Sequence, residues 1–275
     1  MKLFFRKLGE GKPLFILHGL FGLSDNWATV GKMLSESFEV YLIDLRNHGN
    51  SPHSDEWTYP AMANDLNELI GSTIPQINKS ITLLGHSLGG KAAMQFASMY
   101  PEKPGKLIVA DMAPKDYPGK QFDFIEKLLS VDLPSMKTRK EVEFELRKTI
   151  NDNATIQLLL KNVQWAASPP FPLSHGRGEK GEGVVRGEVL QWKFNLKVLA
   201  ENQDKIGKTF SIKNKVDTPT LFIRGERSNY IPDSDLPEIK KIFPHSEVKT
   251  IEGAGHWVHA DKPEAFVKAV KEFAL

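Results

Sequence analysis

Residues 85–89, Gly-His-Ser-Leu-Gly, place Ser87 between a β-forming run (Ile81, Leu83, Leu84) and a run that reads as helix from Lys91 to Met99. A serine hydroxyl acts as a nucleophile when a base lies in hydrogen-bond reach, an acid orients that base, and donors await the oxyanion. A sharp strand-to-helix turn exposes the hydroxyl, and Gly85 and Gly89 admit the close backbone approach that such a turn imposes. The following helix aims its first N–H groups and its positive dipole end at the place where an oxyanion would form.

Eight histidines compete for the role of base. His256 lies after the last strand-like run and before the last helical one, so it hangs from a loop at the same carboxyl-end edge as Ser87. His259, three residues on, is the fallback and reads as an ordinary surface histidine. His86 points away from Ser87 by strand alternation and reads as a satisfied neighbour of the site. His18 ends the first strong strand and is expected to hydrogen-bond backbone, holding the turn after it. In that turn, Gly19 and Gly22 flank Leu20 and Phe21; the N–H of Leu20, with that of Phe21 as an alternative, would join the N–H of Leu88 in a two-donor oxyanion hole.

These residues need a scaffold that brings strand ends together. Leu14–Leu17, Glu39–Ile43, Ile81–Leu84, Leu107–Ala110, Thr220–Ile223 and Glu247–Ile251 are short apolar runs of the buried parallel type. Helical periodicity over Tyr59–Ile70, Lys91–Met99 and Pro263–Phe273 alternates with them, which argues for a doubly wound α/β sheet. Between Pro114 and Asp217 the alternation stops. Phe122–Leu129, Arg139–Ile150, Ala154–Asn162 and Phe194–Asp204 read as helices with no strand between them, so 114–217 is expected to be an inserted helical cap between core segments 1–113 and 218–275. Within it, residues 168–188 read as a loop rich in Pro, Gly and charge; the glycines at 176, 178, 181 and 183 lack the strand before and helix after that a phosphate-binding loop requires.

The chain of 275 residues, 40% hydrophobic, is long enough to bury a substantial core. Its 36 basic and 34 acidic residues are mixed along the chain, for a net charge of +2, which disfavours nucleic acid or anionic membrane as partner. The absence of cysteine excludes disulfides and thiol nucleophiles and fits a reducing, cytoplasmic compartment. No run approaches the ~20 apolar residues of a membrane span, and the first residues lack a signal-peptide core. The histidine spacing implies no metal site, and no cofactor motif is present, so no cofactor is expected.

Residues 18–27 (His-Gly-Leu-Phe-Gly-Leu-Ser-Asp-Asn-Trp), 44–51 (Asp-Leu-Arg-Asn-His-Gly-Asn-Ser), 85–91 and 253–257 together resemble an α/β-hydrolase, and more narrowly the YbfF-type esterases, bacterial relatives of a mitochondrial hydrolase group. The resemblance covers the core on both sides of the cap. It implies a serine hydrolase with the chain order Ser, acid, His. In most members the acid follows the strand after the cap, at the position occupied here by Ser228. A serine carries no charge to stabilise an imidazolium, so either the acid lies elsewhere or the site is crippled. Asp111, at the carboxyl end of the strand after the Ser87 helix, reaches the same sheet edge from the other side; Asp233, Asp235 and Glu226 are the alternatives. The YbfF-type resemblance implies the shifted acid Asp111, with Ser228 as its hydrogen-bond partner.

Asp44, Arg46 and His48 follow a strand and read as a turn braced by an internal Asp–Arg pair. Phe21, Trp27, Trp165, Phe171 and Trp257 are candidates for an apolar acyl or alcohol pocket. The expected substrate is a small acyl ester or thioester, acyl-CoA included. Carbon–carbon bond hydrolase, cofactor-free haloperoxidase and silent binding-module readings stay open. Dehalogenase and epoxide hydrolase chemistry is disfavoured, because both use an Asp where Ser87 stands.

Overall fold

The computed structural model describes residues 1–74, 81–117, 122–167, 188–208, 212 and 215–275. Its strands are β1 (Phe5–Leu8), β2 (Lys12–Leu17), β3 (Phe38–Ile43), β4 (Ile81–His86), β5 (Pro104–Ala110), β6 (Val163–Ala167), β7 (Glu188–Trp192), β8 (Thr220–Gly225) and β9 (Ser246–Ile251). The helices are α1 (Ala28–Leu34), α2 (Tyr59–Thr73), α3 (Leu88–Met99), α4 (Phe122–Leu129), α5 (Arg139–Arg147), α6 (Asn153–Lys161), α7 (Leu196–Glu201), α8 (Gln203–Ile206), α9 (Leu236–Ile242), α10 (Val258–Asp261) and α11 (Pro263–Ala274). Among the described residues no helix is long and apolar enough to cross a membrane.

Seven strands form one sheet in the order β1-β3-β2-β4-β5-β8-β9, with only β1 antiparallel to its neighbour. The six apolar runs of the sequence are its parallel strands. Strand alternation sorts their side chains: Leu14 and Ile16 face a layer built with Val30, Phe266 and Val270, whereas Phe15 and Leu17 face the larger layer containing Met62, Leu66 and Ala93. Helices therefore cover both faces, as a buried parallel sheet requires. The connections reverse direction between β2 and β4, which opens a crevice at their carboxyl ends. Registers Leu17↔Gly85, His86↔Ala110 and Ala110↔Ile223 bring those ends to one level.

Between β5 and β8 the chain leaves the sheet for α4 to α8 and, against the sequence expectation, for a two-stranded antiparallel hairpin. β6 and β7 pair from Val163↔Trp192 to Ala167↔Glu188. Each strand offers only five residues, too few for its alternation to stand out among helical patterns, and the chain between the partners is long. The helix expected over Phe194–Asp204 is broken at Asn202 into α7 and α8. β1 was also missed, because Phe5–Leu8 carries two exposed charged residues at its centre and pairs only along the sheet edge.

Candidate active site

Ser87 stands alone between the last residue of β4 and the first of α3, at φ 52° and ψ −117°. A left-handed φ at a non-glycine residue costs of order 1–3 kcal/mol and persists only where its surroundings fix it. Here the Ser87 N–H donates to Ala110 O at 3.1 Å and its carbonyl accepts from Lys91 N at 3.1 Å. The turn is packed too tightly for side chains: a Cβ on Gly85 would lie 2.2 Å from Gly89 O, and one on Gly89 2.5 Å from His18 O. The motif thus has its predicted structural context, and the loop after β2 rests directly on the turn.

Asp111 follows β5, is fully buried, and also holds a positive φ, 51°. Its Oδ2 lies 2.7 Å from His256 Nδ1 and accepts a short hydrogen bond from Ser228 Oγ, while Oδ1 accepts from Gly225 N at 3.2 Å. A carboxylate only accepts, so the contact places the imidazole proton on Nδ1 and leaves Nε2 with its lone pair. His256 and Ser228 therefore converge on the Asp111 carboxylate, with Asp111 and Ser228 coming from the ends of two adjacent strands. The alternative acids are engaged elsewhere: Asp233 with Arg224 at 2.7 Å, Asp235 with Lys115 at 2.6 Å, and Glu226 with Gly253 N at 2.8 Å.

His256 is gripped on more sides than the sequence suggested. Tyr230 stacks on its ring at 3.9 Å and 17°, and His86 Nε2 donates to its carbonyl oxygen at 2.9 Å. His86 is buried, and desolvation holds its pKa well below the ordinary histidine value. Its Nδ1 has no hydrogen-bond partner among the described residues, so it is half satisfied rather than satisfied. His259 corrects the surface reading: it is 3% exposed, stacks flat on Trp27 at 3.9 Å, and burial lowers its pKa to about 3. The same contact places Trp27 in the core beneath the sheet edge, away from the pocket candidates.

The loop after β2 is fixed by imidazoles from two turns. His18 Nδ1 donates to Gly19 O at 2.8 Å and its Nε2 accepts from Leu45 N at 3.0 Å, the backbone role expected of it. His48 Nδ1 donates to Arg46 O at 2.9 Å and its Nε2 accepts from Phe21 N at 3.3 Å. Both rings are buried, and desolvation lowers their pKa values to about 4 and about 3, so both are neutral acceptors. Because the Phe21 N–H is spent on His48, it is not the alternative oxyanion donor. The N–H groups of Leu20 and Leu88 have no acceptor among the described residues, and both residues line the cavity at Ser87. Asn162, which the sequence did not single out, donates from Nδ2 to Phe21 O at 2.8 Å and so ties the end of α6 to this loop.

The expected Asp44–Arg46 pair does not form. Arg46 instead binds Asp65 on α2 (Nε to Oδ2, 2.7 Å; Nη2 to Oδ1, 3.1 Å) and Glu56, while Asp44 accepts from Ser24 N at 2.6 Å and Asn50 N at 2.8 Å. Residues two apart in a tight turn point to different neighbours, so the Asp44 carboxylate takes backbone N–H donors while the guanidinium takes the carboxylates of Asp65 and Glu56.

Ser87 and His256 open into a cavity of about 190 Å³ walled by Leu20, Phe21, Met112, Phe124, Leu158 and Trp257, among others. Phe21 and Trp257 are thus pocket residues, as expected. Trp165 is not among the residues that wall the cavity: it lies on β6 and is half exposed, on the same strand face as buried Val163 but two residues farther along the hairpin. Phe171 and the 168–188 loop, save its last residue at the start of β7, lie outside the described residues. Besides Ser87 and His256, the polar residues of the wall are Thr155, Tyr59, Tyr117, Tyr230 and Lys91, the last an ammonium four residues after Ser87 on α3. It is buried, donates from Nζ to Gly207 O and Lys208 O at 2.8 Å each, and has its pKa lowered to about 8, chiefly by burial.

This arrangement of sheet, turn and converging strand ends defines an α/β hydrolase, and the chain belongs to that family: the family model described as alpha/beta hydrolase fold matches residues 12–263. Among its relatives, esterase YbfF of Escherichia coli is 33% identical, covering 96% of this chain and 93% of the relative. The zebrafish (Danio rerio) sn-1-specific diacylglycerol lipase ABHD11 is 34% identical over 96% of this chain and 79% of its own. A solved marine microorganism esterase superposes with a TM-score of 0.87 at 42% identity, covering 99% of both chains.

Proposed function

We propose that the protein is a serine hydrolase of carboxylic esters, with thioesters as a second leaving-group class, acting through an acyl-enzyme on Ser87. The observation that carries the reading is the contact of Asp111 Oδ2 with His256 Nδ1 at 2.7 Å, beside a strained Ser87 in a shared cavity. His256 Nε2 takes the hydroxyl proton as Ser87 Oγ attacks the carbonyl carbon. Asp111 holds the imidazolium that results, and Ser228 fixes the carboxylate. The Leu20 and Leu88 N–H groups receive the oxyanion, and the α3 dipole adds to them. His256 returns its proton to the departing alkoxide or thiolate, then activates the water that releases the acid.

The names of the relatives support ester cleavage: E. coli YbfF is called an esterase and zebrafish ABHD11 a diacylglycerol lipase. Residues 114–217 act as the cap over core segments 1–113 and 218–275, contributing Phe124, Leu158 and Ile206 to the pocket wall. At about 190 Å³ the cavity falls below the ~300–1,000 Å³ of drug-sized sites, which favours a short acyl group. Hydrolysis of p-nitrophenyl esters from acetyl to palmitoyl, with wild type and folded Ser87→Ala, tests the reading. Turnover that peaks at short chains and disappears in the variant is expected; undiminished turnover by Ser87→Ala would overturn it.

A further inference from the structure

Lys91 is the feature of the pocket that an ordinary ester does not explain. Most of the wall is aliphatic or aromatic, with Thr155 and the hydroxyls of Tyr59, Tyr117 and Tyr230 as neutral polar groups, and a charged ammonium buried there costs more than a methionine of similar length would. The ammonium has three N–H donors. Two are taken by Gly207 O and Lys208 O, and the rings of Tyr117 and Tyr59 lie 5.1 and 5.8 Å from Nζ. Asp116 is the carboxylate that acts on the charge through space, and the third N–H donor remains on a side chain that lines the cavity. Apolar pockets obtain their specificity from few, fixed polar groups, and this one is held rigidly by two carbonyls.

We propose that Lys91 recognises an anionic group on the substrate, and that the preferred esters carry a carboxylate a few bonds from the scissile bond. The inference rests on the ester-hydrolase reading and adds a substrate class to it. Lys91 follows Ser87 by about one helical turn, roughly 6 Å of rise along α3, and both residues line the same cavity. Half-esters of short dicarboxylic acids and acyl esters of short hydroxy acids carry a carboxylate a few bonds from the scissile bond and so could present it within such a cavity. A carboxylate docked there would meet an ammonium already stripped of water, which strengthens a charge-assisted hydrogen bond.

The test uses pairs that differ in charge and hardly in shape. Monoethyl glutarate is compared with its ω-amide, and 4-acetoxybutyrate with 4-acetoxybutyramide, to separate an acyl-side carboxylate from one on the alcohol. Wild type is expected to favour the carboxylate member of one pair by about tenfold or more in kcat/KM. Lys91→Gln, which keeps a donor for the cap carbonyls and loses the charge, is expected to bring that ratio to one or below. A wild-type ratio at or below one in both pairs, or an unchanged ratio in a folded Lys91→Gln, would overturn the proposal. Should the variant fail to fold, wild-type inhibition decides: glutarate must compete with a neutral ester at least about tenfold more tightly than glutaramide, and equal inhibition would overturn it. No hydrolysis of any ester, neutral ones included, would reject the ester-hydrolase reading and this proposal together.

Discussion

Replacing Asp111 by Asn tests the shifted acid with almost no change in shape. Asp111 Oδ1 accepts from Gly225 N, while Oδ2 accepts both from His256 Nδ1 and from Ser228 Oγ. An amide that keeps the Gly225 contact must turn its NH₂ toward two donors, which drives the His256 proton to Nε2 and removes the base. Loss of both the charge and the tautomer in other serine triads costs kcat about 10⁴-fold, or about 5 kcal/mol of barrier. The same fall is expected here, read as initial rates on p-nitrophenyl butyrate with KM within a few-fold of wild type. Because Ser228 approaches the same oxygen from the next strand, Asp111→Asn combined with Ser228→Asp should recover at least about tenfold over Asp111→Asn alone, the acid having moved to the position most family members use. An Asp111→Asn enzyme within threefold of wild type would refute the assignment, and failure of the double variant to exceed the single one would refute the convergence of the two strands.

Asn162→Ala leaves Phe21 O without its cap-side donor and should lower kcat on p-nitrophenyl butyrate while costing about 1–3 kcal/mol of stability in urea unfolding. Gly85→Ala forces a Cβ to 2.2 Å from Gly89 O and should abolish both nucleophile labelling and normal expression; a stable, active Gly85→Ala would be inconsistent with the turn described. Arg46→Met leaves Asp65, which is 2% exposed, with the Met1 ammonium at 3.0 Å and without its guanidinium, and should destabilise by about 3 kcal/mol, whereas a loss under 1 kcal/mol would show the pair to be dispensable. His18, His48 and His259 are neutral when folded, with pKa values lowered to about 4, 3 and 3 by burial, so the unfolded chain binds more protons below pH 6.5. Their contribution is complete above that pH and is withdrawn as pH falls toward 4 and 3, by up to about 1.4 kcal/mol per unit for each ring. Equal urea midpoints at pH 7 and pH 5 would contradict it.

The sheet and the nucleophile turn were legible because their signals are local. Buried parallel strands read as uninterrupted apolar runs, and Gly85, Ser87 and Gly89 encode a backbone geometry in three positions. Asp111 and His256 were reachable through chain order and strand ends, since registers across a parallel sheet align the residues that follow its strands, whereas the role of Ser228 beside Asp111 came from the family resemblance. What escaped depends on contacts between distant segments. Asn162 is an ordinary helix-terminal asparagine until α6 meets the Phe21 loop, and Tyr230 gives no sign in sequence that its ring covers His256. His259 and Arg46 were misread for the same reason: the partners that bury them, Trp27 and Asp65, come from other elements. The β6–β7 hairpin was hidden by short strands whose alternation spans only five residues each.

The most direct test of the proposed chemistry is to trap the acyl-enzyme. Rapid quenching of the enzyme with p-nitrophenyl butyrate, followed by intact-mass and peptide mass spectrometry, should show one butyryl adduct on the peptide carrying Ser87. The adduct should be absent from Ser87→Ala and should persist longer in Asp111→Asn. Steady hydrolysis by wild type with no adduct, or an adduct on any other residue, would contradict the mechanism built around Ser87.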